Sequence, residues 1–238
     1  MNPILVALDV DTADQARQLT GTLRGAVGGF KINTHLFTAV GPDIVRELVD
    51  RGDRIFLDLK FHDIPNTVAG AVRAAASLGV WMVNVHASGG PAMLEAARRA
   101  AEDGARAHGH DRPLVIAVTV LTSLDQAALD AVGIERSPVD QVIRLARLTQ
   151  AAGLDGVVAS PNEVAAIREA CGRDFVIVTP GIRGGSATAG ADDQQRTATP
   201  AGAIAAGSSY LVVGRPITAA ADPRAAAEAI GREIQQVR

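Results

Sequence analysis

Short runs of apolar and β-branched residues alternate along the chain with longer stretches whose apolar positions recur three and four apart. The short runs predict strands at 4–10, 29–33, 54–60, 81–87, 114–121, 156–160, 175–180 and 210–214. The longer stretches predict helices near 13–23, 37–51, 64–78, 91–107, 138–152, 161–171, 200–206 and 223–237. Ile44, Val45 and Leu48 mark the apolar face of the second helix. Several helices open on proline, whose missing N–H costs nothing in a first turn.

Strict alternation of strand and helix calls for parallel strands joined by crossover helices. Eight such units match closure into a (β/α)8 TIM barrel, one domain spanning 1–238. A doubly wound open sheet is the alternative. Residues 183–197 fit neither strand nor helix. They are rich in Gly, Ser, Ala, Asp and Gln and exceed the usual strand-to-helix connection, which predicts a functional lid loop.

Polar residues interrupt the apolar runs at the C-terminal ends of the strands, the end at which such barrels place their chemistry. Asp9 ends the first run, Lys31 lies near the end of the second, Asp58 and Lys60 end the third, and Asn84 and His86 the fourth. Thr122 and Ser123 follow the fifth, Arg183 the seventh, and Gly214 and Arg215 close the eighth. The third strand is the most informative. Side chains alternate faces along a strand, so Phe56, Asp58 and Lys60 share one face and Ile55, Leu57 and Leu59 the other. The all-apolar face suits packing against helices. The second face would carry a carboxylate and an ammonium into the barrel, where charges are costly unless paired. Lys31 and Asp63 can extend the pair into an alternating network; a solvated ion pair at the rim is the blander alternative.

A lysine beside a carboxylate can deliver a proton to carbon as a carbanion forms. Gly214 permits close backbone approach and Arg215 supplies a fork of donors. Together with Arg183 they form a candidate phosphate site at the position where these barrels often hold one. His62 and His86 are read as hydrogen-bonded residues of the mouth, and Phe56, Trp81 and Phe175 as packing residues.

Composition narrows the class. Of 238 residues, 47% are hydrophobic, enough for a sizeable core. The net charge of −3 gives no reason to expect a nucleic-acid partner. The lone cysteine, Cys171, cannot build a disulfide framework or a structural zinc site. No His, Cys or carboxylate cluster falls at ligand spacing, so neither metal nor cofactor is expected. No basic leader or apolar run of roughly 20 residues is present, so no membrane contact and a cytoplasmic location are expected.

Asp58-Leu59-Lys60-Phe61-His62-Asp63-Ile64-Pro65-Asn66-Thr67 resembles the Asp-x-Lys-x-x-Asp signature of the orotidine 5′-monophosphate decarboxylase family. Ala7-Leu8-Asp9, Phe30-Lys31-Ile32, Val83-Asn84-Val85-His86, Val118 to Ser123, Thr179 to Arg183 and Val213 to Ile217 follow in family order. The resemblance implies decarboxylation of orotidine 5′-monophosphate to uridine 5′-monophosphate without a cofactor, the last step of de novo pyrimidine synthesis. It implies that Lys60 protonates C6 and that Asp58 lies beside the substrate carboxylate. Lys31, Asp58, Lys60 and Asp63 would form the charged network. It also implies a homodimer, with Asp63 and Thr67 reaching the neighbouring site. Asp9 and Lys31 would hold ribose hydroxyls, and Thr122 and Ser123 would meet the pyrimidine. Gly214, Arg215 and Gln194 would bind phosphate, with Arg183 nearby. The segment after Arg183 is about two residues longer than the common family pattern, so Gln195 rivals Gln194. The related alternatives are a metal-dependent decarboxylase resembling those of 3-keto-L-gulonate 6-phosphate, and a non-catalytic barrel that binds a phosphate ligand.

Overall fold

A computed structural model of the chain describes residues 1–183 and 198–237. The expected lid at 183–197, including Gln194 and Gln195, lies outside the described residues except for Arg183. The strands are β1 (Ile4–Ala7), β2 (Gly29–Asn33), β3 (Ile55–Phe61), β4 (Met82–His86), β5 (Leu114–Val118), β6 (Gly156–Val158), β7 (Val176–Thr179) and β8 (Tyr210–Val213). Each pairs in parallel with the next, and β8 returns to β1, so the sheet is a closed barrel in chain order. The fold is therefore the single-domain (β/α)8 barrel expected from the alternation, and not an open doubly wound sheet.

Around it run α1 (Ala13–Leu23), α2 (Thr34–Val40), α3 (Asp43–Asp50), α4 (Pro65–Ala76), α5 (Gly90–His108), α6 (Gln126–Ala131), α7 (Pro138–Ala151), α8 (Val164–Cys171), α9 (Pro200–Ala205), α10 (Arg215–Thr218) and α11 (Pro223–Gln235). The helix expected over 37–51 is two helices. Gly41 takes a left-handed φ of 75° after α2, and Pro42 follows it, so the apolar period continues across a backbone that does not. α6 and α10 were not anticipated. Both are short, and α6 starts from an Asp125 cap whose side chain accepts from the Ala128 N–H.

Several expected strands overrun the real ones at the mouth. β5 stops at Val118, and Thr119 turns both its N–H and its hydroxyl onto the Val158 carbonyl. β1 stops at Ala7, with the Leu8 N–H donating to Lys31 O before Asp9 leaves the ladder. The polar residues at these ends thus belong to the mouth rather than to the ladder.

Side-chain alternation divides the core into two shells. Leu5, Ala7, Phe56, Met82, Ile116, Val178 and Val212 fill the barrel interior. Ile4, Val6, Phe30, Ile32, Ile55, Leu57, Val83 and Val85 face the helices as part of the larger outer core. Trp81 and Tyr210 pack edge to face, 5.0 Å between centroids, against the inner shell, and Phe175 is buried in the outer one. This plug closes the barrel below the mouth, so polar side chains above it have a dry floor and one open side.

Candidate active site

The charges at the mouth converge around Asp58. Its carboxylate is only 10% exposed and Lys31 only 11%, while Lys60 is 35% exposed. Lys60 Nζ donates to Asp58 Oδ1 at 2.6 Å, and Lys31 Nζ lies 3.4 Å from Oδ2. Lys31 Nζ also lies 3.6 Å from Asp9 Oδ1, at the exposed edge of the group. The alternating charge series therefore runs Asp9, Lys31, Asp58, Lys60, across three neighbouring strands. Strand register explains the convergence. Lys31 pairs with Ala7 on one side and Phe56 on the other, and Asn33 pairs with Asp58, so inward positions of β2 and β3 stack beside Asp9.

Lys60 reaches this position by leaving β geometry. Its φ is +53°, and it is the only non-glycine residue with positive φ among the described residues. A single left-handed residue of this kind costs about 1–2 kcal/mol. The pairing of β3 with β4 is irregular at the same place. Leu57 pairs with Val83 and Phe61 with Val85, so residues 58–60 oppose Asn84 alone. Asn84 is fully buried. It donates to Asp58 Oδ1 at 2.6 Å and accepts from the Lys60 N–H at 2.8 Å. On the other flank Asn33 Nδ2 donates to Asp9 Oδ1 at 2.9 Å while its own oxygen caps α2. Asn84 was expected only as a polar residue at the end of its strand, with no role assigned, and Asn33 was not singled out. The inward parity of Asn84 on its strand was readable, but its partners lie 24 and 26 residues back.

His86 sits half-buried on the same strand as Asn84, its ring 5.2 Å from that of His62. Burial pushes its imidazole below the usual range; the neighbouring charges of His62 and Lys60 act the same way, and Asp58 opposes them. His86 is thus a neutral wall of the mouth at neutral pH.

Other expected residues stand apart from this cluster within the chain. Asp63 is exposed past the end of β3, where its carboxylate accepts from the Ile64 N–H at 2.6 Å. The expected extension of the network through Asp63 is therefore absent from the described ion pairs. Thr67 is exposed in the first turn of α4, beside Ile64, a large apolar side chain left 66% exposed. Thr122 and Ser123 form a turn after β5, closed by the Leu124 N–H donating to Leu121 O.

The corner expected to take phosphate is built from the ends of β7 and β8. Gly214 precedes α10, whose first residue is Arg215, exposed to solvent. A Cβ on Gly214 would lie 3.5 Å from Asp9 Oδ2, so this corner borders the charged cluster directly. The Arg183 N–H donates to Ala198 O at 2.9 Å, and Ile182 bridges Ala198, which ties the two flanks of 184–197 to each other. Among the described residues no group of three or more His, Cys, Asp or Glu is arranged to hold a metal ion, and no helix is long and apolar enough to cross a membrane.

Fold and mouth together define a (β/α)8 barrel with a lysine–carboxylate cluster, a candidate reaction centre, beside a candidate anion-binding corner. Comparison with known proteins makes the class specific. A family model described as orotidine 5′-phosphate decarboxylase / HUMPS family matches residues 2–230. The chain belongs to this family. It is 57% identical over 236 residues to an orotidine 5′-phosphate decarboxylase of Moorella thermoacetica, covering 99% of this chain and 93% of that one. An orotidine 5′-phosphate decarboxylase of Halorhodospira halophila is likewise 57% identical over 231 residues, covering 97% and 95%. The crystal structure of orotidine 5′-phosphate decarboxylase from Lactobacillus acidophilus superimposes with a TM-score of 0.87 at 41% identity, covering 98% of this chain and 99% of that one.

Proposed function

We propose that this chain converts orotidine 5′-phosphate to uridine 5′-phosphate and CO2, the closing step of de novo pyrimidine synthesis, at the Lys31–Asp58–Lys60 centre. The observation that carries the reading is the 2.6 Å contact of Lys60 Nζ with a nearly buried Asp58. A substrate carboxylate brought beside Asp58 is destabilised as an anion and relieved by leaving as neutral CO2. The C6–carboxylate bond breaks, its electron pair stays on C6, and Lys60 delivers a proton there from Nζ; solvent restores the ammonium. The fixed positive field of Lys60 stabilises the developing carbanion without reorganisation.

Asp9 and Lys31 hold the ribose hydroxyls, and Thr122 and Ser123 meet the pyrimidine. Gly214, Arg215 and Arg183 receive the phosphate, together with Gln194. Binding energy gained at the phosphate is then available to the chemical step. Asp63 and Thr67 act in the site of a second copy of the chain, so the working form is a homodimer. The exposed Ile64 between them supports a covered surface there. The enzyme works in the cytoplasm.

The test is loss of substrate absorbance on mixing the purified protein with orotidine 5′-phosphate in a metal-free buffer. Turnover is expected and should survive EDTA. Activity abolished by EDTA and restored by a divalent ion would favour 3-keto-L-gulonate 6-phosphate chemistry instead. Binding of uridine 5′-phosphate with no CO2 release would leave a barrel that only binds phosphate ligands.

A further inference from the structure

The irregular stretch of β3 raises a question of hydrogen bonding. Three residues, Asp58, Leu59 and Lys60, oppose one residue of β4, so the main-chain ladder between the strands is interrupted where the two reacting side chains arise. A buried N–H left without a partner is costly, and a left-handed lysine adds strain. Asn84 stands in this gap, and its carboxamide meets both needs. Its Oδ1 accepts the Lys60 N–H at 2.8 Å, and its Nδ2 donates to Asp58 Oδ1 at 2.6 Å. The Asp58 oxygen that takes the Lys60 ammonium is therefore the same oxygen that Asn84 holds.

We infer that Asn84 is a positioning residue for the reaction. It fixes the left-handed backbone of Lys60 and the rotation of the Asp58 carboxylate with one planar amide. The inference rests on the decarboxylase reading above, in which Lys60 and Asp58 act on substrate. Asn84 is buried beneath them and acts only through them. Neither of its isosteres fits the role. The role needs an acceptor and a donor on one short rigid group, and isosteric Asp or Leu lack one or both at neutral pH.

Two variants test it. Asn84→Ala removes both bonds. kcat should fall by roughly 100-fold, as expected when reacting groups are misplaced by about an ångström. KM and the affinity for uridine 5′-phosphate should change less than about threefold, because the phosphate and ribose contacts lie elsewhere. Asn84→Asp keeps the shape and the acceptor for Lys60 but donates to Asp58 only when protonated. The charged groups around this position are Asp58 and Lys60 from β3 and Lys31 from β2, and His86 on β4 is a titratable neighbour that is neutral at pH 7; β5 opposite presents Leu114, Ile116 and Val118. Two neighbouring carboxyls favour sharing a proton. The ratio of variant to wild-type kcat should therefore rise as pH falls from 8 to 5.

Wild-type turnover measured alongside separates the two claims. An inactive wild type overturns the functional reading. An active wild type with an unimpaired Asn84→Ala, or a variant ratio flat across pH, overturns the positioning role. Failure of both variants to fold overturns it too, in favour of a purely architectural asparagine.

Discussion

Lys60 Nζ lies 2.6 Å from Asp58 Oδ1, two residues back on the same strand, and it does so from a left-handed backbone that no other described non-glycine residue adopts. Ideal strand alternation would also put the two side chains on one face. The left-handed turn breaks that regularity and lets β3 make its charged pair beside Lys31 while Phe61 rejoins the ladder with β4. In the proposed mechanism this backbone carries the proton donor, so the strain and the chemistry can be measured at one residue.

Comparing two variants that both lack the amine isolates that strain. Lys60→Gly and Lys60→Ala each remove the ion pair, but only glycine adopts a φ of 53° freely. Strain of about 1–2 kcal/mol, less the greater unfolded-state freedom of glycine, leaves Lys60→Gly more stable by about 0.5–1 kcal/mol. Thermal unfolding should place it about 2 °C higher. Equal midpoints would mean that the backbone there is unstrained.

Activity should respond differently. Lys60→Ala should release no detectable CO2 from orotidine 5′-phosphate while still binding uridine 5′-phosphate, since the proposed phosphate corner lies on β7 and β8. Calorimetric titration with the product, beside a CO2 assay, checks both halves. Turnover within tenfold of wild type would remove Lys60 from the mechanism.

The barrel and the Asp9–Lys31–Asp58–Lys60 cluster at its mouth were legible because their signals are local. Apolar runs gave eight strands, and parity along β3 separated Asp58 and Lys60 from the outward Ile55, Leu57 and Leu59. Strand ends were less legible, since an apolar residue such as Leu8 continues the pattern after the ladder has closed. The split at Gly41 and Pro42 was hidden by a period that runs through it. Lys60's left-handed φ carries no sequence signal, because lysine is not a residue that favours it. The role of Asn84 depends on a contact across strands that no single run of residues contains.

Arg215 should report on the phosphate. It is exposed at the start of α10, so Arg215→Ala should leave the unfolding midpoint within about 1 °C, in line with the small effect of surface changes. The affinity for uridine 5′-phosphate should fall at least tenfold, and that for unphosphorylated uridine should not change. Charge-assisted bonds to a phosphate are strong enough for such a loss. A parallel loss of uridine binding would assign Arg215 to some other part of the ligand.

His86 predicts a pH dependence of stability. Burial holds its folded pKa below the value of about 6.5 found in unfolded chains. Above pH 6.5 both states are neutral and the shift has no effect. As pH falls below 6.5 the unfolded chain takes up the proton first, so stability is lost down to the folded pKa and then levels. Urea unfolding of wild type and His86→Gln at pH 7 and pH 5 measures the contribution. The wild type should lose more stability than the variant over this interval. Equal losses would mean that His86 titrates alike in both states.

Asp63 supplies the sharpest test of assembly. It lies past the end of β3, bonded only to the Ile64 N–H among its described hydrogen bonds, while Asp58 sits inside the barrel. If each site takes Asp58 from one chain and Asp63 from another, Asp58→Ala and Asp63→Ala homodimers have two defective sites each. Mixing them creates hybrid dimers. One site of a hybrid lacks both carboxylates, and the other has both restored. Random exchange of equal amounts makes half of the dimers hybrids, so about a quarter of all sites regain both groups and activity should approach a quarter of wild type. Native mass spectrometry of differently tagged chains would verify exchange. Hybrids formed without recovered activity would place Asp63 outside the neighbour's site and make each barrel catalytically self-contained.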